Sequence, residues 1–296
     1  MSDSALVTGV LDEAAWLARE RHHVGRVEGY LTAHRRRAER GEPHPVWDFL
    51  FTYYSLRPRH LRRWHPGFGV VLSGRAADRY AGYSGYVPRA DGVTVSREYL
   101  RSRRETVNFV ATLLRATAAR PARMNCFGLH EWAMVYRSDN VRHGSVPLRL
   151  GDAGTDAVVE SIPLRCSHFD AFRFFTDSAA VLNVEHLSRA GQVSSEQPGC
   201  IHAAMDLYKW AYKLGPLVDS ALLIDGLALA FDAREIDMRA SPYDLAEYGF
   251  EPIAIETPAG RAAYVRAQQE ISERAAPLRA SLADACDRLL AAAHGG

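Results

Sequence analysis

The sequence is poor in lysine, thiols and long apolar runs. Of its 36 basic residues only Lys209 and Lys213 are lysines, and four of its 296 residues are cysteines. Four cysteines in so long a chain do not make a disulfide framework, so a reduced, cytoplasmic protein is expected. No apolar run approaches the roughly 20 residues needed to span a bilayer, so no membrane partner is expected. The start, MSDSALVTGVLDEAAW, has early acids and no basic region ahead of an apolar one, so no signal peptide is expected. A net charge of +1 argues against a nucleic-acid binder that relies on an overall basic field, though local arginine patches remain available for DNA. Gly-rich phosphate loops, a GxSxG elbow and a dinucleotide fingerprint are all missing, which weakens nucleotide-hydrolase, esterase and dehydrogenase readings.

The size allows one large domain, and no repeat or low-complexity linker divides it. The patterning predicts a mainly α fold, a single globular helical domain with a few short strands. An Arg-rich helix is expected over 10–40, ended by Gly41 and Pro43. Its basic end, His34 to Arg37, reads as a solvated helix terminus or a phosphate contact. A core segment follows over 43–250. It opens with an aromatic stretch, 43–72, read as capped short helices, then a Gly- and Tyr-rich loop or irregular hairpin over 73–95. A helix capped by Ser96 covers 96–118. A polar strand-like segment carries His143, and residues 155–165 alternate as a strand should. A polar loop over 188–199 precedes helices at 201–214 and 217–238. An amphipathic helical tail, 257–292, opens on Thr257-Pro258 and has a possible break at Pro277.

Three cysteines stand just ahead of a histidine: Cys126 before His130, Cys166 before His168, and Cys200 before His202. An acid follows each histidine: Glu131, Asp170 and Asp206. Thiolate, imidazole and carboxylate are the usual ligands of zinc and of transition metals. None of the spacings is a zinc-finger spacing, and the HE of His130-Glu131 lacks the second histidine of HExxH. In the 201–214 helix, His202, Asp206, Lys209 and Lys213 fall within about 60° on one face. That stripe either lies in water, with Asp206 supporting a lysine, or faces a cleft. In the cleft Lys209 serves as nucleophile or charge donor, Asp206 as general base and His202 as proton carrier or ligand. Asp170 and Arg173 are expected to pair.

The segments HPVWDFLFTYYS, LRRWHPG, CFGLHEWAMVYR, RCSHFDAFRFF, QPGCIHAAMDLYKWAYKLGPLV and DMRASPYDL resemble an actinobacterial family of 3-methyladenine DNA glycosylases. The resemblance runs from about Pro43 to the C-terminal helix and carries no residue assignments with it. It implies an N-glycosylase releasing a modified base from DNA or a nucleoside. Such chemistry needs aromatic side chains to stack the base and a carboxylate to activate water or stabilise the sugar cation. Trp47, Tyr53, Tyr54, Trp132 and Tyr208 are candidates for stacking, and Asp206 or Glu131 for the carboxylate. Lys209 admits a Schiff-base variant. The residues taken without the resemblance favour a metal-dependent oxygenase or hydrolase acting on a small molecule. Iron or zinc would be held by ligands drawn from His130, Glu131, His168, Asp170, His202 and Asp206. A small-molecule binding protein without turnover is the third reading.

Overall fold

A computed structural model describes residues 8–52, 54, 56–138 and 146–294. Tyr53 and His143 lie outside the described residues. The fold is mainly helical, with one small sheet among the described residues.

Helix α1 spans Glu13–Arg40. It begins at 13 because the Asp12 carboxylate accepts the Ala15 N–H at 2.8 Å, and it ends where Gly41 turns left-handed. The expected start at residue 10 is too early, because Gly9–Leu11 is a strand, β1. β1 pairs in parallel with β2, Val70–Leu72. The hairpin of β3, Tyr86–Arg89, and β4, Gly92–Val95, completes the sheet in the order β1-β2-β4-β3. Short helices α2, Phe49–Thr52, and α3, Pro58–Leu61, occupy the aromatic segment as expected. Ser96 caps α4, Arg97–Ser102, by accepting the Tyr99 N–H, and α5 continues over Arg104–Ala118.

The strand expected over 155–165 is instead part of a helix, α7, Gly151–Ser161. Its buried positions are Thr155, Val158 and Val159, a helical spacing. The β-branched pair suggested a strand, but both valines pack on the same side of a turn. α6, Leu129–Ala133, precedes it, and the short α8, Phe169–Phe172, and α9, Asp177–Ala180, follow it. The expected loop over 188–199 contains a helical turn, α10, Gln192–Ser195.

Three long helices form the centre. α11 is Ile201–Leu214, α12 is Ser220–Arg239 and α13 is Pro258–His294. α12 starts later than expected because Asp219 caps it, its carboxylate accepting the Ala221 N–H at 2.8 Å. α13 runs unbroken through Pro277, which is on its exposed side, where water can satisfy the freed carbonyl. α11 and α12 lie against each other, and Gly226 makes their close approach possible. A Cβ on Gly226 would sit 3.0 Å from the Tyr208 backbone. One contiguous core draws on Trp16 near one end of the chain and Leu289 near the other. No helix among the described residues is long and apolar enough to cross a membrane.

Candidate metal centre

α11 is buried nearly all round, so its polar stripe does not lie in water. His202, Asp206 and Lys209 are buried, and only Lys213 at the far end is exposed. A buried polar group needs a partner, and the neighbouring elements supply them.

α6 brings His130 and Glu131. The chain enters α6 through Phe127 and Gly128, both in the left-handed region, and leaves at Arg137, also at positive φ. A side chain on Gly128 would press within 3.2 Å of Ala240 and Tyr264. Two non-glycine residues held at positive φ cost free energy that the surroundings must offset, a pattern concentrated at functional sites. The result is that His130 points at α12, where its Nε2 lies 2.6 Å from Asp237 Oδ1. Asp237 Oδ2 accepts from Arg234 Nη1 at 2.6 Å, and the same guanidinium nitrogen donates to Glu131 Oε1 at 2.7 Å. Burial alone would raise the Asp237 carboxyl. His130, His202 and Arg234 outweigh it and hold the group ionised, below the usual carboxylate range.

His202 completes this cluster. Its ring meets His130 edge-on at 4.3 Å between centroids and stacks on His168 at 5.3 Å. Burial, then the neighbouring imidazole of His130, drives His202 well below its ordinary value, so the ring is neutral. Neither of its nitrogens has a hydrogen-bond partner among the described residues. One donor atom from each of His130, His202 and Asp237 falls within 4.8 Å of the other two.

A second group lies on the other side of His202. The acceptors around His168 Nε2 are Asp206 Oδ2 at 3.1 Å and Glu196 Oε1 at 3.5 Å. The Nδ1 of His168 accepts the Ala171 N–H at the start of α8. That leaves the proton on Nε2, pointing at the carboxylates. Burial opposes the charged ring, but Glu196 and Asp206 prevail and raise the His168 pKa. Lys209 binds Asp206 and, at 3.1 Å, Asp170, and these carboxylates overcome its burial and raise it too. Tyr54 donates to the other oxygen of Asp206 at 2.9 Å. Arg189 and Arg173 pair with Asp170 at 2.5 and 3.4 Å.

The two groups differ in their partners. Asp170, Asp206 and Glu196 meet Lys209, Arg189 and Arg173, so that network is internally neutralised. Around Asp237 the partners are Arg234, which also holds Glu131, and the His130 imidazole, whose Nε2 lies 2.6 Å from Asp237 Oδ1. A divalent cation at His130, His202 and Asp237 would replace the proton shared by His130 Nε2 and Asp237 Oδ1, and two imidazoles with one carboxylate form a donor set suited to iron or zinc. The second group fits a metal less well, because the proton on His168 Nε2 and the Lys209 ammonium already occupy its acceptors.

A small cleft of about 20 Å³ reaches the first cluster and is lined by His130 and His202. That is room for about one water molecule. Cys126, Cys166 and Cys200 line it too. Burial raises all three thiols, Cys166 to about 12, so they stand as neutral, weakly polar walls and not as thiolate ligands.

No family model, no curated protein and no solved structure matches the chain. The site therefore stands on its geometry.

Of the residues expected at a metal, His130 and His202 come together, while His168, Asp206 and Asp170 belong to the adjoining ion-pair network and Glu131 to Arg234. No motif in the sequence marks Asp237, Glu196 or Arg234 as site residues. Their only signal was the odd one of charges inside otherwise apolar or capped segments. The expected stacking residues do not gather at one open face. Trp47 stacks on Phe231 at 5.4 Å, in a satellite cluster away from the cleft. Trp132 is fully buried and donates its indole N–H to the Ala240 carbonyl at 2.8 Å. Tyr208 is fully buried between α11 and α12, and Tyr54 meets it edge-on at 5.9 Å. The basic end of α1 is partly used internally, where His34 and Arg37 both hold Asp48.

Proposed function

We propose that the protein is a metal-dependent enzyme, an oxygenase or hydrolase acting on a small molecule, with iron or zinc held by His130, His202 and Asp237. One observation carries the reading: a neutral imidazole, His202, that lines the small cleft with no hydrogen-bond partner among the described residues, beside His130 and the ionised Asp237. A neutral imidazole that opens on a cleft without a protein partner has a lone pair available to a metal ion. Two histidines and one carboxylate leave positions on the ion for water and substrate.

Bound there, the metal supplies Lewis acidity or redox chemistry at a site of restricted water access. The chain's own residues position and insulate it. Arg234 fixes the Asp237 carboxylate and neutralises Glu131. His168, held by Asp206 and Glu196, braces the His202 ring through the stack. The thiol-lined cleft admits only small groups to the centre.

The N-glycosylase reading has less support. Asp206 is ionised, as such an enzyme requires, but Tyr54, His168 and Lys209 occupy its oxygens, and it is 1% exposed. Lys209 is held as an ammonium, which does not form a Schiff base.

The test is metal content by plasma mass spectrometry after reconstitution with ferrous iron or zinc. About one equivalent is expected in the wild type, strongly reduced in both His202→Ala and Asp237→Asn. Absence of metal from folded wild-type protein, or unchanged metal in both variants, would refute the reading. In that case release of 3-methyladenine from alkylated DNA by the metal-free protein becomes the deciding assay.

A further inference from the structure

A cavity of about 200 Å³ opens at the opposite end of α11, beside Tyr212 and Gly215. About 15 Å of helix separates Tyr212 from His202, so this space is distinct from the metal centre. Its walls present the rings of Tyr83, Tyr99 and Tyr212 together with His60, His65 and Arg63. Arg63 lies over the Tyr83 ring at 4.6 Å and pairs with no carboxylate among the described residues.

The two imidazoles have their orientation fixed. The Nδ1 of His60 lies 2.9 Å from the Tyr212 hydroxyl, and that of His65 3.0 Å from the Tyr86 hydroxyl. A phenol donates readily to an imidazole lone pair, which places the remaining ring proton on Nε2. Neither Nε2 has a partner among the described residues. Burial and the nearby arginines lower both histidines, so each offers one N–H and no charge. The carboxylate in the wall, Asp219, has one oxygen engaged by the Ala221 N–H as the cap of α12.

We propose that this cavity binds a small aromatic carboxylate, its ring between the tyrosines and its carboxylate on Arg63 and the two imidazole N–H groups. The volume supports one ring with a short substituent, since a cavity of about 150 Å³ holds benzene. Three donors in the wall of one cavity can share the oxygens of one carboxylate. A doubly charged phosphate would set its second charge against Asp219. The inference does not rest on the metal reading.

Titration calorimetry with benzoate at neutral pH tests it. Saturable binding with a Kd below about 1 mM is expected, with benzyl alcohol at least about tenfold weaker, as loss of a charge-assisted contact implies. Arg63→Gln should weaken benzoate to a similar degree without changing the melting temperature. Equal affinity for benzoate and benzyl alcohol overturns the proposal, as does an undiminished affinity in Arg63→Gln or no saturable heat with benzoate. The comparison of the two ligands on wild-type protein decides even if the variant misfolds.

Discussion

Replacing Arg234 with methionine should be among the most damaging changes available outside the ligands themselves. The side chain is fully buried, lies over the Phe49 ring at 3.9 Å, and sets one nitrogen between Glu131 and Asp237. Methionine keeps much of the packing but takes from Glu131 and Asp237 the buried guanidinium that they share. Breaking a buried ion pair from one side costs about 3–5 kcal/mol, chiefly through the charge left behind. A chain of 296 residues has an unfolding entropy of about 0.6 kcal/mol/K near its midpoint, from roughly 2.1 cal/mol/K per residue. The expected loss of melting temperature is therefore about 5–8 °C. Differential scanning calorimetry on metal-free protein measures it, and the double variant Arg234→Met/Glu131→Gln should recover part of the loss. A drop below about 1 °C, or no recovery in the double variant, would show that Arg234 is not the counter-charge described above.

Two further outcomes follow from the same geometry. Gly226→Ala should force α11 and α12 apart at Tyr208, costing about 1–3 kcal/mol. Because His202 rides on one helix and Asp237 on the other, metal affinity should fall with it; an unchanged affinity in a destabilised variant would mean that the two helices do not set the ligand spacing. Stability should also decline in acid through His65, whose pKa burial, and then nearby His23 and Arg63, lower to about 3. The unfolded ring binds a proton near pH 6.5 and the folded one only near 3, so this contribution is complete above pH 6.5 and is lost as pH falls toward 3. The slope from this group is at most about 1.4 kcal/mol per pH unit. Denaturant midpoints for His65→Gln should change less between pH 7 and 4.5 than those of the wild type, and parallel curves would refute the assignment.

Much of the helical framework was legible from local chemistry. Ser96, the Gly41 stop and the 201–214 periodicity mark helices because caps, left-handed turns and apolar spacing act over three or four residues. The same locality misled at 155–165, where two adjacent valines suggested a strand but the buried spacing of Thr155, Val158 and Val159 is set by what α7 packs against. Pro277 suggested a break, yet its carbonyl partner faces water and the helix continues.

The site divides in the same way. Local patterning was enough to place His130, His202, Asp206 and Lys209 in helical segments, and the last three on one face. It could not determine which way that face points, because both sides of α11 become buried only when α12 and the loop before α11 close over them. Nor could it choose the ligands. Asp237 lies 107 residues from His130, and its role depends on Gly226 letting α12 approach α11 and on Phe127 and Gly128 turning α6 inward. Burial then separates two clusters of the same residue types. Lys209 ties up the carboxylates of the one around His168, while the other keeps an imidazole, His202, without a hydrogen-bond partner among the described residues. That distinction arises from distances between remote segments, which no spacing along the chain encodes.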